Sequence, residues 1–220
     1  MATADIQADI QAVIWDFGGV ISSSPFEAFA QFERERGLPA NFLRRVNATN
    51  HLDNAWARFE SNRIDLAAFD EAFAAESAAL GHAVRGREVV ALLGGTIRPA
   101  MVAALRRLRE QLKIGLITNN VASSEHDGFD PGRRGEVIAL FHHVIESSKA
   151  GLRKPDPAIY RLMTDALGVA PERAVFLDDL GVNLKPARAM GMRTIKVEDP
   201  DEALQALEGY VGFALRDAPG

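Results

Sequence analysis

The run Ala12-Val13-Ile14-Trp15 is continuously apolar and is closed by Asp16, Phe17 and the pair Gly18-Gly19. A short apolar run ended by an acid and glycines predicts a buried strand, followed by a turn that lifts Asp16 out of its C-terminal end. The pattern then turns helical. Phe26, Phe29, Ala30 and Phe32 share one face ahead of Gly37-Leu38-Pro39, and a second helix starts at Asn41. A third holds Leu52, Trp56 and Phe59, and a fourth runs from Asp65 to Leu80 with Leu66, Phe69 and Phe73 in one stripe. Ser61-Asn62-Arg63 predicts the turn before this last helix, and Gly81 closes it. Between Pro25 and Leu93 no segment predicts a strand.

Gly94-Gly95-Thr96-Ile97-Arg98-Pro99 punctuates the chain as a connector or hinge. Beyond it helices and apolar strands alternate. Helix Pro99 to Gln111 leads into strand Lys113 to Thr118, and strand His143 to Glu146 precedes helix Pro157 to Leu167. Strand Ala174 to Leu177, helix Asn183 to Met190, strand Thr194 to Val197 and helix Asp201 to Leu207 follow. Val121 to Gly135, rich in Ser, Asp, Gly and Arg, predicts an exposed loop after a strand end. The alternation predicts an α/β fold, a doubly wound parallel, Rossmann-like sheet with helices on both faces, to which the first strand also belongs. Residues 10–22 plus 96–215 then form the core, and 23–95 an inserted α-helical unit.

Composition narrows the partners. The chain has 220 residues, 47% hydrophobic and 25% charged, enough to bury a core and unlike a disordered segment. Its formal charge of −5 supplies no basic field for nucleic acid or an anionic membrane, so a bound phosphate must be held by a local site. There is no cysteine, which removes disulfides, thiolate metal sites and cysteine nucleophiles. Met1 to Gln11 does not read as a signal peptide, and no apolar run approaches the ~18 residues of a membrane span. A cytoplasmic protein with a small-molecule partner is the expectation, and Asn47-Ala48-Thr49 reads as a chance glycosylation match.

Several strand ends carry polar residues suited to one task. Lys113 to Ile117 runs into Thr118-Asn119-Asn120, and Ala174 to Leu177 runs into Asp178-Asp179. Gly151-Leu152-Arg153-Lys154-Pro155-Asp156-Pro157 places two cations ahead of a Pro-initiated helix. In a parallel sheet these gather at one edge with Asp16. Asp16, Asp178 and Asp179 offer hard anionic oxygens suited to Mg2+, Thr118 and Asn119 offer neutral donors, and Lys154 a point charge. Such a set can hold a phosphate, neutralise charge at phosphorus and let a screened carboxylate act as nucleophile.

The ordered set Trp15-Asp16-Phe17-Gly18-Gly19-Val20, Ile117-Thr118-Asn119, Gly151 to Tyr160 and Phe176-Leu177-Asp178-Asp179 resembles the haloacid dehalogenase superfamily over nearly the whole chain. Asn183 to Met192 is similar to the branch containing the N-terminal phosphatase domain of soluble epoxide hydrolase and a related domain fused to some acyl-CoA dehydrogenases. The resemblance implies a Mg2+-dependent phosphohydrolase acting on a small phosphorylated metabolite through an aspartyl-phosphate. It implies Asp16 as nucleophile, Thr118 and Asn119 on the phosphate, and Lys154 bridging nucleophile and phosphate. The metal falls to Asp16, the Gly18 carbonyl and Asp179, with Asp178 either a ligand or the holder of a bound water. Residues 23–95 become a cap of the family's first type.

One position departs from that pattern. The family's phosphatases usually carry a second Asp two residues after the nucleophile, as general acid and base, and here that residue is Gly18. Loss of a positioned acid costs about 10² to 10⁴ in rate and weighs most on poor leaving groups. Aryl, acyl or anomeric phosphates are therefore the expected substrates, or else the cap lends an acid from His51, Asp53 or Glu60. A metal-independent dehalogenase and a catalytically dead phosphate-binding domain are the alternatives that Gly18 leaves open. His142-His143 and Ser22-Ser23-Ser24 read as structural, Glu125-His126-Asp127 as solvated surface, and Trp56 with Phe59 as core of the helical unit.

Overall fold

The computed structural model describes residues 9–120 and 131–216. Five strands form one parallel sheet: β1 (Ala12–Trp15), β2 (Lys113–Thr118), β3 (His143–Glu146), β4 (Ala174–Asp178) and β5 (Arg193–Lys196), in the order β3-β2-β1-β4-β5. Alternate side chains of β1 enter opposite layers, as a two-residue period requires. Val13 and Trp15 join Met101, Leu105 and Leu108 of α6 (Pro99–Arg109) and Leu204 and Leu207 of α11 (Pro200–Val211). Ala12 and Ile14 join Ile159, Tyr160 and Met163 of α9 (Pro157–Leu167) and Leu184 of α10 (Gly181–Ala189) on the other face. The sheet is therefore doubly wound, as the strand and helix alternation predicts.

The chain moves from β1 to β2 and β3 on one side, then returns to place β4 and β5 on the other. That reversal opens a crevice beyond the carboxyl ends of β1 and β4, where doubly wound sheets bind ligands. Trp15 registers with Leu177, so Asp16 comes to lie beside Asp178.

Between β1 and α6 run five α-helices: α1 (Pro25–Glu35), α2 (Phe42–Ala48), α3 (Ala55–Glu60), α4 (Leu66–Ala79) and α5 (Gly86–Val90). They bury a hydrophobic cluster of their own, including Phe29, Phe42, Phe59, Phe69 and Phe73, apart from both sheet layers. Phe59 stacks on Phe69 and Trp56 meets it edge-on, so this pair belongs to the helical core as expected. Two connecting segments run antiparallel where this unit meets the sheet: Ser22 bridges Ile97, Ser23 N–H donates to Thr96, and Arg98 N–H donates to Ile21. Gly95 permits the approach, since a Cβ there would lie 2.8 Å from the Ser23 carbonyl.

Some sequence expectations need correction. Leu52 lies ahead of α3 and is 71% exposed, because Asn54 caps the helix by accepting from Ala57 N–H and so sets its start after Leu52. The stretch expected as loop through Gly135 contains the start of α7 (Pro131–Ile138), while Val121 to Asp130, with Glu125-His126-Asp127, lies outside the described residues. α5 and α8 (Ser147–Ala150) were not expected from spacing. His142 precedes β3, and its Nδ1 accepts from Ile114 N–H, the structural role expected of it.

Asp70 ties α4 to α5. It is buried, accepts from Arg87 N–H at 2.9 Å through Oδ1, and takes Arg85 Nη2 at 2.5 Å and Arg87 Nε at 2.7 Å on Oδ2. The Arg87 and Arg85 hydrogen bonds outweigh burial and hold its carboxyl well below the usual range. Asp70→Ala should cost about 1–3 kcal/mol, toward the low end because both guanidiniums are exposed. The stabilisation is complete above the unfolded carboxyl pKa and is lost as pH falls below it through the depressed folded value. Chemical denaturation of both proteins at neutral and strongly acidic pH checks this, with the difference shrinking in acid.

Candidate active site

Asp16 follows β1 directly, with its N–H donating to the Leu177 carbonyl at 2.9 Å. Its Oδ1 accepts from Phe17 N–H at 2.7 Å and lies 2.8 Å from Lys154 Nζ. Among the described residues both contacts fall on Oδ1, which leaves Oδ2 for further chemistry. Lys154 is 1% exposed and also donates to Asp178 Oδ2 at 2.7 Å. Burial alone would lower its ammonium, but Asp16 and Asp178 outweigh that and hold it above the ordinary lysine value, so it stays charged.

Asp178 is wholly buried and its carboxylate is already engaged. Oδ1 accepts from Leu180 N–H at 2.8 Å and Asn183 Nδ2 at 3.0 Å, and Oδ2 takes Lys154. Asn183 anchors in turn through its carbonyl, which accepts from Tyr160 Oη at 2.7 Å. The sequence pattern marks Asn183 only as a polar residue near the start of the helix that follows Asp178. Asp179 is less constrained, with Ser24 Oγ donating to its Oδ2 at 3.4 Å. Ser24 also caps α1, its side chain accepting from Phe26 N–H.

Carboxylate oxygens of Asp16, Asp178 and Asp179 lie within 4.8 Å of one another. Burial raises the Asp16 carboxyl well above its ordinary range, Lys154 opposes the rise, and Asp178 and Asp179 add to it. Burial, then the Asp178 charge, pushes Asp179 up to about 6. Among the described residues one lysine is paired with this cluster of three acids. Such an oxygen-only donor set fits a hard divalent cation.

Gly19 sits beneath Asp179 at φ +76°, and a Cβ there would lie 2.3 Å from Asp179 Oδ2. Gly19→Ala should lose about 1–2 kcal/mol from the left-handed backbone alone and displace Asp179 as well. Thermal unfolding of both proteins checks this, with the variant unfolding at a lower temperature than wild type.

Thr118 ends β2, buried at the same edge. Asn119 holds the Lys154 peptide at both ends, accepting from Lys154 N–H at 2.9 Å and donating to its carbonyl at 3.0 Å. Its side chain thus braces the lysine. Of the three acids considered in the helical unit, Asp53 is exposed and pairs with Arg63, and His51 is exposed. Glu60 is buried, with its Oε2 at 2.5 Å from Arg153 Nη2.

Asp16 thus stands at the switch point of a doubly wound sheet, paired with a buried lysine and accompanied by two more acids. The haloacid dehalogenase-like hydrolase family matches residues 10–191, and the chain belongs to that family. It is 32% identical over 226 residues to bifunctional epoxide hydrolase 2 of Sus scrofa, covering 96% of this chain and 40% of that protein. The chain thus spans less than half the length of that relative. Phosphatase MT3486 of Mycobacterium tuberculosis is 29% identical over 211 residues, covering 92% of each. Among solved structures, a haloacid dehalogenase family enzyme of Bacteroides thetaiotaomicron, an Asp-to-Ala mutant in complex with magnesium and inorganic phosphate, matches with TM-score 0.57 and 20% identity. That match covers 86% of this chain and 96% of the other. No helix among the described residues is long and apolar enough to cross a membrane.

Proposed function

We propose that the chain is a Mg2+-dependent phosphohydrolase that works on a small phosphorylated metabolite through an aspartyl-phosphate on Asp16, with residues 23–95 as its cap. The observation that carries this reading is the convergence of Asp16, Lys154, Asp178 and Asp179 at one sheet edge, with three acids around a buried lysine. The names of the mycobacterial phosphatase and of the magnesium and phosphate complex agree with it.

Asp16, Asp179 and the Gly18 carbonyl would hold the metal, which supplies charge neutralisation at the phosphoryl oxygens when bound. Asp178, its oxygens engaged, orients Lys154. The Thr118 hydroxyl and the Asn119 N–H donate to the phosphoryl oxygens, and Lys154 balances charge shared by Asp16 and phosphate. Asp16 attacks phosphorus and the bond from phosphorus to the leaving oxygen breaks. Gly18 has no proton to give, so the leaving oxygen departs as an anion or takes a proton from water. Water then attacks the acyl phosphate, freeing orthophosphate and the Asp16 carboxylate. Leaving groups that are stable as anions suit this site: aryl, acyl and anomeric phosphates.

Gly18 also suits a dehalogenase, but haloacid dehalogenation gives the Asp178-Asp179 pair no metal to hold. Orthophosphate release from an aryl phosphate is the test. The expected result is turnover that stops when Mg2+ is chelated and returns when it is restored. Binding of the phosphate ester without turnover would instead mark a regulatory domain, and halide release from a 2-haloacid without metal would mark a dehalogenase.

A further inference from the structure

We infer that Glu60 and Arg153 form a clamp between the helical unit and the sheet that positions Lys154, a role that rests on the phosphohydrolase reading of this site. Glu60 is the last residue of α3 and is gripped from the core at two points. Its carbonyl accepts from Ser147 Oγ at 2.7 Å, and its Oε2 lies 2.5 Å from Arg153 Nη2. Trp56 Nε1 donates to the other carboxylate oxygen at 2.8 Å, so each oxygen of this acid faces a donor group. Arg153 reaches further into the same unit, its Nη1 donating to the His51 carbonyl at 3.0 Å.

The core ends of both grips meet at the end of β2. Ser147 Oγ accepts from Asn120 N–H at 3.0 Å and lies 3.1 Å from the Asn120 carbonyl. Arg153 is the residue before Lys154, whose peptide Asn119 holds at both N–H and carbonyl. The two asparagines after Thr118 therefore fix the two segments that hold Glu60, and one of these segments carries Lys154. The Glu60 side chain is 9% exposed and the Arg153 side chain 23%, so solvent screens the pair weakly. A guanidinium can span two acceptors on the helical unit where an ammonium would reach one. Misplacing a reacting group by about 1 Å can cost about 10²-fold in rate. Glu60 and Arg153 are thus positioning residues, acting on the reaction through Lys154.

The test is a cycle of Glu60→Gln, Arg153→Gln and the double variant, with kcat and KM for an aryl phosphate expressed per folded enzyme. Hydrogen exchange of residues 55–60 and 147–155 is followed in each. Either single substitution is expected to lower kcat about 10-fold or more with a smaller change in KM, and to speed exchange in both segments. The double variant should be no worse than the poorer single one, because the pair acts as a unit. Arg153→Lys, which keeps the charge and one of the two contacts, should fall between wild type and Arg153→Gln. Multiplying effects, or faster exchange confined to the substituted segment, would overturn the clamp. If the wild-type chain turns nothing over, the phosphohydrolase reading fails, and the clamp is still decided by exchange across the two segments with Mg2+ and orthophosphate present.

Discussion

Asp16→Asn should abolish phosphate release, by about 10⁴- to 10⁶-fold, the scale seen when a nucleophile is removed from an enzyme that depends on it. The amide keeps the shape of the carboxylate, and its oxygen can still accept from Phe17 N–H and Lys154. Stability separates this loss from misfolding. Burial and the neighbouring acids raise the Asp16 carboxyl well above its unfolded value, so in the metal-free protein the ionised group opposes folding at neutral pH. The sign follows: the burden is absent below the unfolded pKa and grows as pH rises through it. Lys154 retains Asp178 as a partner in the variant. The metal-free Asn variant should therefore unfold at a temperature no lower than wild type, while its turnover is lost.

Gly18→Asp should move activity the other way. Gly18 has φ −68°, open to any residue, and a Cβ there would meet nothing within 4 Å. The backbone and the space both admit an aspartate two residues after the nucleophile, where the family's phosphatases usually carry one. A positioned acid contributes about 10² to 10⁴ in rate. The gain should appear with alkyl phosphates, whose alkoxides leave poorly without a proton, and be small with aryl phosphates. Comparing kcat for an alkyl and an aryl ester in both proteins measures it. An equal gain on both esters would mean that the added carboxylate does something other than protonate the leaving group.

The central strands were legible because each is a short apolar run closed by a change of residue class, and burial on both faces leaves little else for Ala12–Trp15 or Ala174–Asp178 to form. Their order along the chain then placed Asp16, Thr118 and Asp178 at one edge without any knowledge of side-chain contacts. The elements that escaped were short. α5 and α8 have five and four residues, too few to nucleate alone, and tertiary contacts hold them. α7 opens with Pro131-Gly132 and carries Gly135, a composition that reads as a turn. The spacing of Leu52, Trp56 and Phe59 fits one helical stripe by coincidence, and the Asn54 cap decides where the helix begins.

At the site, residue types were legible and partnerships were not. An Asp-Asp pair after a strand announces acids, but only the fold shows Asp178 occupied by Lys154, Leu180 and Asn183 while Asp179, among the described residues, takes Ser24. The side chain of Asn119, whose N–H is proposed above to meet the phosphate, braces Lys154, a contact between residues 35 apart in sequence. Nothing local in the sequence distinguishes an amide that meets a ligand from one that holds a loop.

The most direct measurement of the covalent mechanism is mass analysis of the enzyme quenched in acid during turnover of an aryl phosphate with Mg2+. The expected result is one phosphoryl group on the peptide that carries Asp16, absent from Asp16→Asn. Steady release of orthophosphate with no phosphoryl group on that peptide, under quench conditions that preserve acyl phosphates, would contradict Asp16 as the nucleophile.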